Sequence, residues 1–116
     1  MAAEYDIEID QYAYFSQQFT WKDTSYQPID LTDWEARLQI RESIDDEPVV
    51  DLDSTTAGIT LGGVDGTIVV VIPSAETAAM PSGELLYDLL MEDPSGRKKR
   101  LLEGKAIVKQ AVTRPE

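Results

Sequence analysis

A two-residue alternation of apolar and polar side chains, repeatedly broken by Gly, Pro and Asp, constrains this chain more than any other feature. It is clearest in Trp34-Glu35-Ala36-Arg37-Leu38-Gln39-Ile40-Arg41. Successive side chains of an extended strand point to opposite faces, so Trp34, Ala36, Leu38 and Ile40 share one face and Glu35, Arg37, Gln39 and Arg41 the other. One dry face and one wet face is the habit of antiparallel sheets. The same period runs through Tyr5 to Ile9 and through Phe15 to Trp21, where Phe15, Phe19 and Trp21 coincide. It returns in Glu84 to Met91, which aligns Leu85, Tyr87, Leu89 and Met91.

Turn residues set the limits of the remaining elements. Val49 to Leu52 is a short apolar stretch among Asp45, Asp46, Glu47, Asp51 and Asp53, and such charge suits an edge strand that resists pairing with other chains. Gly62-Gly63-Val64-Asp65-Gly66 joins Gly58-Ile59-Thr60-Leu61 to Thr67–Ile72 in a hairpin-like connection. The run Ile68 to Ile72 is apolar on both faces, so it is either a central strand covered on both sides or one that meets another subunit. Pro73 stops it, and the Ala-rich stretch 74–79 predicts a brief helix. Asp93-Pro94-Ser95-Gly96 is a turn pattern, after which Arg97 to Val108 returns as the second strand of a hairpin.

About seven to eight short strands with one short helical crossover predict an all-β fold, an antiparallel immunoglobulin-like β-sandwich. The chain of 116 residues fits one core, with a single domain over 1–112 and a C-terminal tail over 113–116. The crossover leading to Tyr87 admits two readings: the corner of immunoglobulin-like folds, where a Tyr hydroxyl ties its strand to the preceding loop, or simply an aromatic at the edge of the core.

The residue inventory closes most catalytic routes. With no His and no Cys, Ser-His-Asp triads, Cys-His pairs and zinc sites built on imidazole or thiolate are out of reach. A carboxylate pair remains, Asp88 with Glu103 across the last hairpin, but charge on the outer face of a strand is ordinary and a solvated face is the simpler reading. The acids at 45–53 lack the Asp-x-Asp-x-Asp-Gly spacing of a calcium loop, and the Gly-rich 62–66 segment lacks a following Lys-Ser/Thr for phosphate. No catalytic residue, cofactor or metal site is therefore expected.

Charge narrows the partners. Asp and Glu number 22 against 10 Lys and Arg, a net charge of -12 that repels nucleic acid and anionic membranes alike. No apolar run approaches the ~20 residues of a membrane span, and the first ten residues lack the pattern of a secretory signal. The one basic cluster, Arg97-Lys98-Lys99-Arg100, offers either a solvated hairpin end or a patch for an acidic neighbour. Tyr12 and Tyr14 are the aromatics that alternation leaves outside, for a protein contact or for stacking on a sugar. With Val69 and Val71 they complete the candidate interface residues.

Several strings, in order, resemble a family of short proteins encoded among bacteriophage tail genes. They include Tyr5-Asp6-Ile7-Glu8-Ile9-Asp10-Gln11, Phe19-Thr20-Trp21-Lys22-Asp23, Pro28-Ile29-Asp30-Leu31-Thr32, Gly58-Ile59-Thr60-Leu61-Gly62-Gly63 and Leu102-Glu103-Gly104-Lys105. The chain is also similar to the N-terminal immunoglobulin-like domain of phage baseplate upper proteins. It departs from that pattern at Tyr12 and Tyr26, where Gly or another turn residue is expected. The resemblance implies a non-catalytic virion subunit, a tail, baseplate or tail-fibre adaptor made in the host cytoplasm. Its implied partners are other tail proteins and copies of itself, arranged as a homo-oligomer or ring. A capsid decoration protein and a carbohydrate-binding module are the alternatives.

Overall fold

The alternation read from the sequence becomes two faces in each long strand of the computed structural model, which describes residues 3–113. The strands are β1 (Ala3–Glu4), β2 (Ile7–Asp10), β3 (Phe15–Thr20), β4 (Glu35–Arg41), β5 (Val50–Asp53), β6 (Ile59–Leu61), β7 (Thr67–Ile72), β8 (Gly83–Glu92) and β9 (Lys98–Lys109). A single helix, α1 (Ser74–Ala78), crosses between β7 and β8, and one 3-10 turn spans Gly63–Asp65. Of the expected tail at 113–116, only Thr113 lies within the described residues.

Two sheets face each other. The larger runs β1-β9-β8-β4-β5, with β2 also on β9, and the smaller runs β3-β7-β6. Their inner faces hold the expected residues: Ala36, Leu38 and Ile40 from β4, and Leu85, Tyr87, Leu89 and Met91 from β8, are all buried. Across the core stand Ile68, Val70 and Ile72 of β7, with Phe15 and Phe19 partly buried beside them. Lettering β3 to β9 as B, C, C′, D, E, F and G turns the sheets into B-E-D and G-F-C-C′, the immunoglobulin arrangement with an added C′ edge. The chain is an immunoglobulin-like β-sandwich.

One part of the expectation is corrected. The sandwich is not wholly antiparallel, because β1 and β2 both run parallel to β9, with Ala3 opposite Leu102 and Ile7 opposite Ala106. Alternation reports the two faces of a strand and says nothing about the direction of its neighbour. The break between β1 and β2 falls at Tyr5–Asp6 and is tied down over Gly104. The Tyr5 N–H donates to the Glu103 carbonyl at 3.0 Å, and Asp6 Oδ1 accepts from the Lys105 N–H at 2.9 Å. A Cβ on Gly104 would lie 2.5 Å from the Tyr5 carbonyl oxygen, so only glycine admits this approach.

The tyrosine corner is corrected as well. The Tyr87 hydroxyl donates to the carbonyl of Tyr5 rather than to the loop before its own strand. Tyr87 stands opposite Gly104 in the β8–β9 ladder, which brings ring, glycine and kinked N-terminal strand together. The bond therefore joins the first strand to the sandwich instead of closing the β7–β8 crossover.

Two local irregularities follow from sequence. Between Leu89 and Leu90 the ladder slips, pairing Leu89 with Leu102 and Leu90 with Arg100. This bulge lets both Leu101 and Leu102 pack against the core while Arg100 stays outside. Tyr12 and Tyr26, the positions where a turn residue was expected, take φ of 68° and 63°, the left-handed region that favours glycine.

Candidate protein interface

Formal charge is divided unevenly between the two sheets. Every strand of the larger sheet holds at least one charged residue, whereas β3, β6 and β7 hold none. Ion pairs lace the outer face of the larger sheet: Arg37–Asp51 at 2.7 Å, Arg100–Asp88 at 2.9 Å, Lys109–Glu8 at 3.1 Å, Lys105–Glu84 at 3.3 Å and Lys98–Glu92 at 3.4 Å. Their side chains are largely exposed, so each pair adds only ~0.2–1 kcal/mol. They give this face side chains of both signs in alternation.

Hydrogen bonding sharpens the ionisation at the β5 edge. The Arg37 guanidinium holds the Asp51 carboxyl below its ordinary pKa, and Asp51 raises Arg37 in return. Hydrogen bonds from the Thr56 hydroxyl and N–H, then from Thr55, lower Asp53 to about 2. The acids expected to guard this edge do line it, with Asp51 opposite Gln39 and Asp53 opposite Arg37. Among the described residues no group of three or more acids is placed to hold a metal ion.

The basic hairpin is dispersed rather than pooled. Lys98 and Arg100 pair with Glu92 and Asp88, while Lys99 turns to the other side and sits 5.7 Å over the Trp21 ring. The Arg97 backbone N–H donates to Asp93 Oδ1 and closes the turn. Trp21 in turn meets Trp34 edge to face at 5.4 Å, so Lys99 caps an aromatic pair at one end of the sandwich. Asp88 and Glu103 are direct neighbours across β8 and β9, as expected, and Asp88 is the acid that Arg100 engages. A trough of about 920 Å³ crosses this sheet, lined in part by Arg41, Ile44, Leu86, Asp88, Arg100 and Lys105. Its lining mixes acids and bases, Glu4, Asp6, Asp88 and Glu103 with Arg41, Arg100 and Lys105.

The smaller sheet presents the opposite chemistry. Val69 and Val71 lie half-exposed on its outer face, opposite Gln18 and Ser16 of β3, with Thr60 of β6 on the other side of Val69. The apolar run of β7 is therefore a central strand covered on one face, not on both. Tyr14 is 64% exposed just before β3, while Tyr12 is half-buried in its left-handed turn, so the two do not stand out equally as a stacking platform. Sequence reading singled out Val69 and Val71 but missed Ser16, Gln18 and Thr20. The available signal was Gln11 to Trp21, eleven residues without a charge in a chain that is 28% charged.

No family model and no curated protein matches this sequence. Among solved structures the chain is similar to one described in connection with multimeric cell-adhesive interactions of VGSC beta subunits. The two share 10% identity with a TM-score of 0.49, over 91% of this chain and 92% of that one. The immunoglobulin-like architecture given above stands on the strand order of this chain. No helix among the described residues is long and apolar enough to cross a membrane.

Proposed function

We propose that this chain is a non-catalytic structural subunit of a bacteriophage virion, an adaptor in the tail or baseplate that binds neighbouring tail proteins and further copies of itself. The observation that carries a contact role is the segregation of charge: a sandwich of net charge -12 keeps one whole sheet free of formal charge and uncovered on its outer face. Water solvates ionised side chains far better than a neighbouring protein does, so an uncharged β-face is the one that loses least on being covered. The tail assignment rests on the ordered strings from Tyr5 to Lys105 that resemble tail-gene products.

The test is to label particles released from cells that make this chain with a gold-conjugated antibody, alongside mass spectrometry of the purified particles. Gold on the tail, with the chain present in several copies, is the expected result. Gold over the head would replace the adaptor with a decoration subunit. Absence of the chain from intact particles would overturn the virion reading altogether.

A further inference from the structure

The smaller sheet is short of a strand. In the constant-type immunoglobulin arrangement the first strand lies beside the second and completes an A-B-E-D sheet. Here β1 and β2 both lie on β9 in the larger sheet, so β3 is left as an edge. The direction of its free peptide groups follows from the ladder. The Trp21 N–H donates to the Gly66 carbonyl, and the pairs Phe19–Ile68, Gln17–Val70 and Phe15–Ile72 continue that alternation toward β7. Ser16, Gln18 and Thr20 therefore point three N–H and three C=O groups away from β7, and none of these takes part in the backbone bonds that tie the loops together.

The other edges are charged or short, and this one is neither; the Tyr5 ring stands edge to face with Phe19 at 5.6 Å and its hydroxyl accepts from Gln17 Nε2 at 3.3 Å, both on the inner side of β3. β5 carries Asp51 and Asp53, the β1 and β2 edge carries Glu4, Glu8 and Asp10, and β6 is only three residues long. β3 has six residues, Phe-Ser-Gln-Gln-Phe-Thr, with no charge, no Pro and no slip in its register with β7. An unpaired strand of that kind is a template for another strand.

We propose that β3 is the seam between two copies of this chain, joined edge to edge and antiparallel about a two-fold axis through Gln18. A second copy fits because the edge is self-complementary. With the axis at Gln18, Gln18 pairs with Gln18 of the second copy and Ser16 with its Thr20, which makes use of every outward peptide group. A shift of two residues either way leaves one of the three outward-facing residues unpaired. The inner side brings Gln17 opposite Phe19 and Phe15 opposite Trp21 of the second copy, with the Tyr5 ring of each chain packed beside its own Gln17 and Phe19, and none of the paired residues is charged. The product is one continuous sheet, β6-β7-β3 running into β3-β7-β6. An approach through the outer face of the larger sheet would have to desolvate its ion pairs, while this edge carries no formal charge. The remaining long-range repulsion is screened within a Debye length of ~8 Å at physiological salt, so added salt strengthens the pair.

The seam deepens the reading of an assembling subunit, and the two fail separately, since a chain that stays single in solution overturns the seam and leaves gold on the tail untouched. The test is sedimentation of the purified chain across a salt series, with Gln18→Lys and Gln18→Pro beside it. Lys places like charges together at the axis, and Pro removes an N–H that points away from β7, so each blocks the edge without breaking the internal ladder. The expected result is a dimer that grows with salt and is lost in both variants, with unchanged circular dichroism. Because the chain has no cysteine, Gln18→Cys adds a single thiol that a short bifunctional maleimide links between copies, while Asp51→Cys on the β5 edge stays unlinked. A wild-type monomer at every salt concentration, a dimer that survives both edge variants, or linkage at 51 instead of 18 would each overturn the proposal.

Discussion

Replacing Tyr87 by Phe isolates the bond that fastens the first strands to the sandwich. The ring is 4% exposed and would keep its packing, so the change removes one hydroxyl and leaves the Tyr5 carbonyl without that donor. Tyr5 is 44% exposed and the bond part-buried, so its loss costs the net worth of one hydrogen bond, about 0.5–1.5 kcal/mol. For a domain of this size that is a fall of about 2–6 °C in Tm, read by circular dichroism at pH 7. A second arm uses alkali. Burial, then the nearby Asp6 carboxylate and the Tyr5 phenol group, push the hydroxyl from its ordinary 10 up to about 12. The folded state thus holds this proton more tightly than the unfolded state. The stabilisation is complete below pH 10 and is lost as pH rises toward 12. The gap between wild type and Tyr87→Phe should therefore close between pH 10 and 12. Equal stability of the two proteins at pH 7, or a gap that persists at pH 12, would refute this account of Tyr87.

Two other substitutions test the backbone. Gly104→Ala drives a Cβ to 2.5 Å from the Tyr5 carbonyl oxygen and should destabilise by about 1–3 kcal/mol in urea titration, and an unchanged midpoint would mean that the N-terminal strand is not held over Gly104. Tyr26 is 81% exposed at φ 63°, where an L-residue costs about 1–2 kcal/mol, so Tyr26→Gly should match or exceed wild-type stability and Tyr26→Val should fall below it; the reverse order in thermal melts would contradict the left-handed turn.

Much of the fold was legible because burial on one face writes itself into period two. Ala36, Leu38 and Ile40 announced β4, and Leu85, Tyr87, Leu89 and Met91 announced β8, since each strand lies against the core on one side and water on the other. The guarded β5 edge was legible for a different reason, as Asp51 and Asp53 fall in a four-residue strand preceded by Asp45, Asp46 and Glu47, short and charged as edge strands are. The proposed interface was only half visible. Val69 and Val71 stood out as apolar residues in surplus, whereas Ser16, Gln18 and Thr20 are polar enough to pass for an ordinary wet face. Arg97 to Arg100 looked like one patch because they are adjacent in sequence, but a strand sends neighbours to opposite sides, so Lys98 and Arg100 meet Glu92 and Asp88 on one face while Lys99 lies over Trp21.

By itself the sequence determined where most strands lie, which side of each is dry, and that three separate segments, around 11–21, 54–64 and 66–75, carry no charge, but it read Tyr5 to Ile9 as one run where the structure breaks at Tyr5–Asp6. These are local properties, set by side chains and the pleat of an extended backbone. Only the tertiary structure decided that β3, β6 and β7 gather those segments into one sheet, that β1 and β2 run parallel to β9, and that β3 is consequently left as an edge. Strand partners are chosen across distances of tens of residues by the shared core and by single close approaches such as Tyr5 over Gly104, and no short stretch of sequence records that choice.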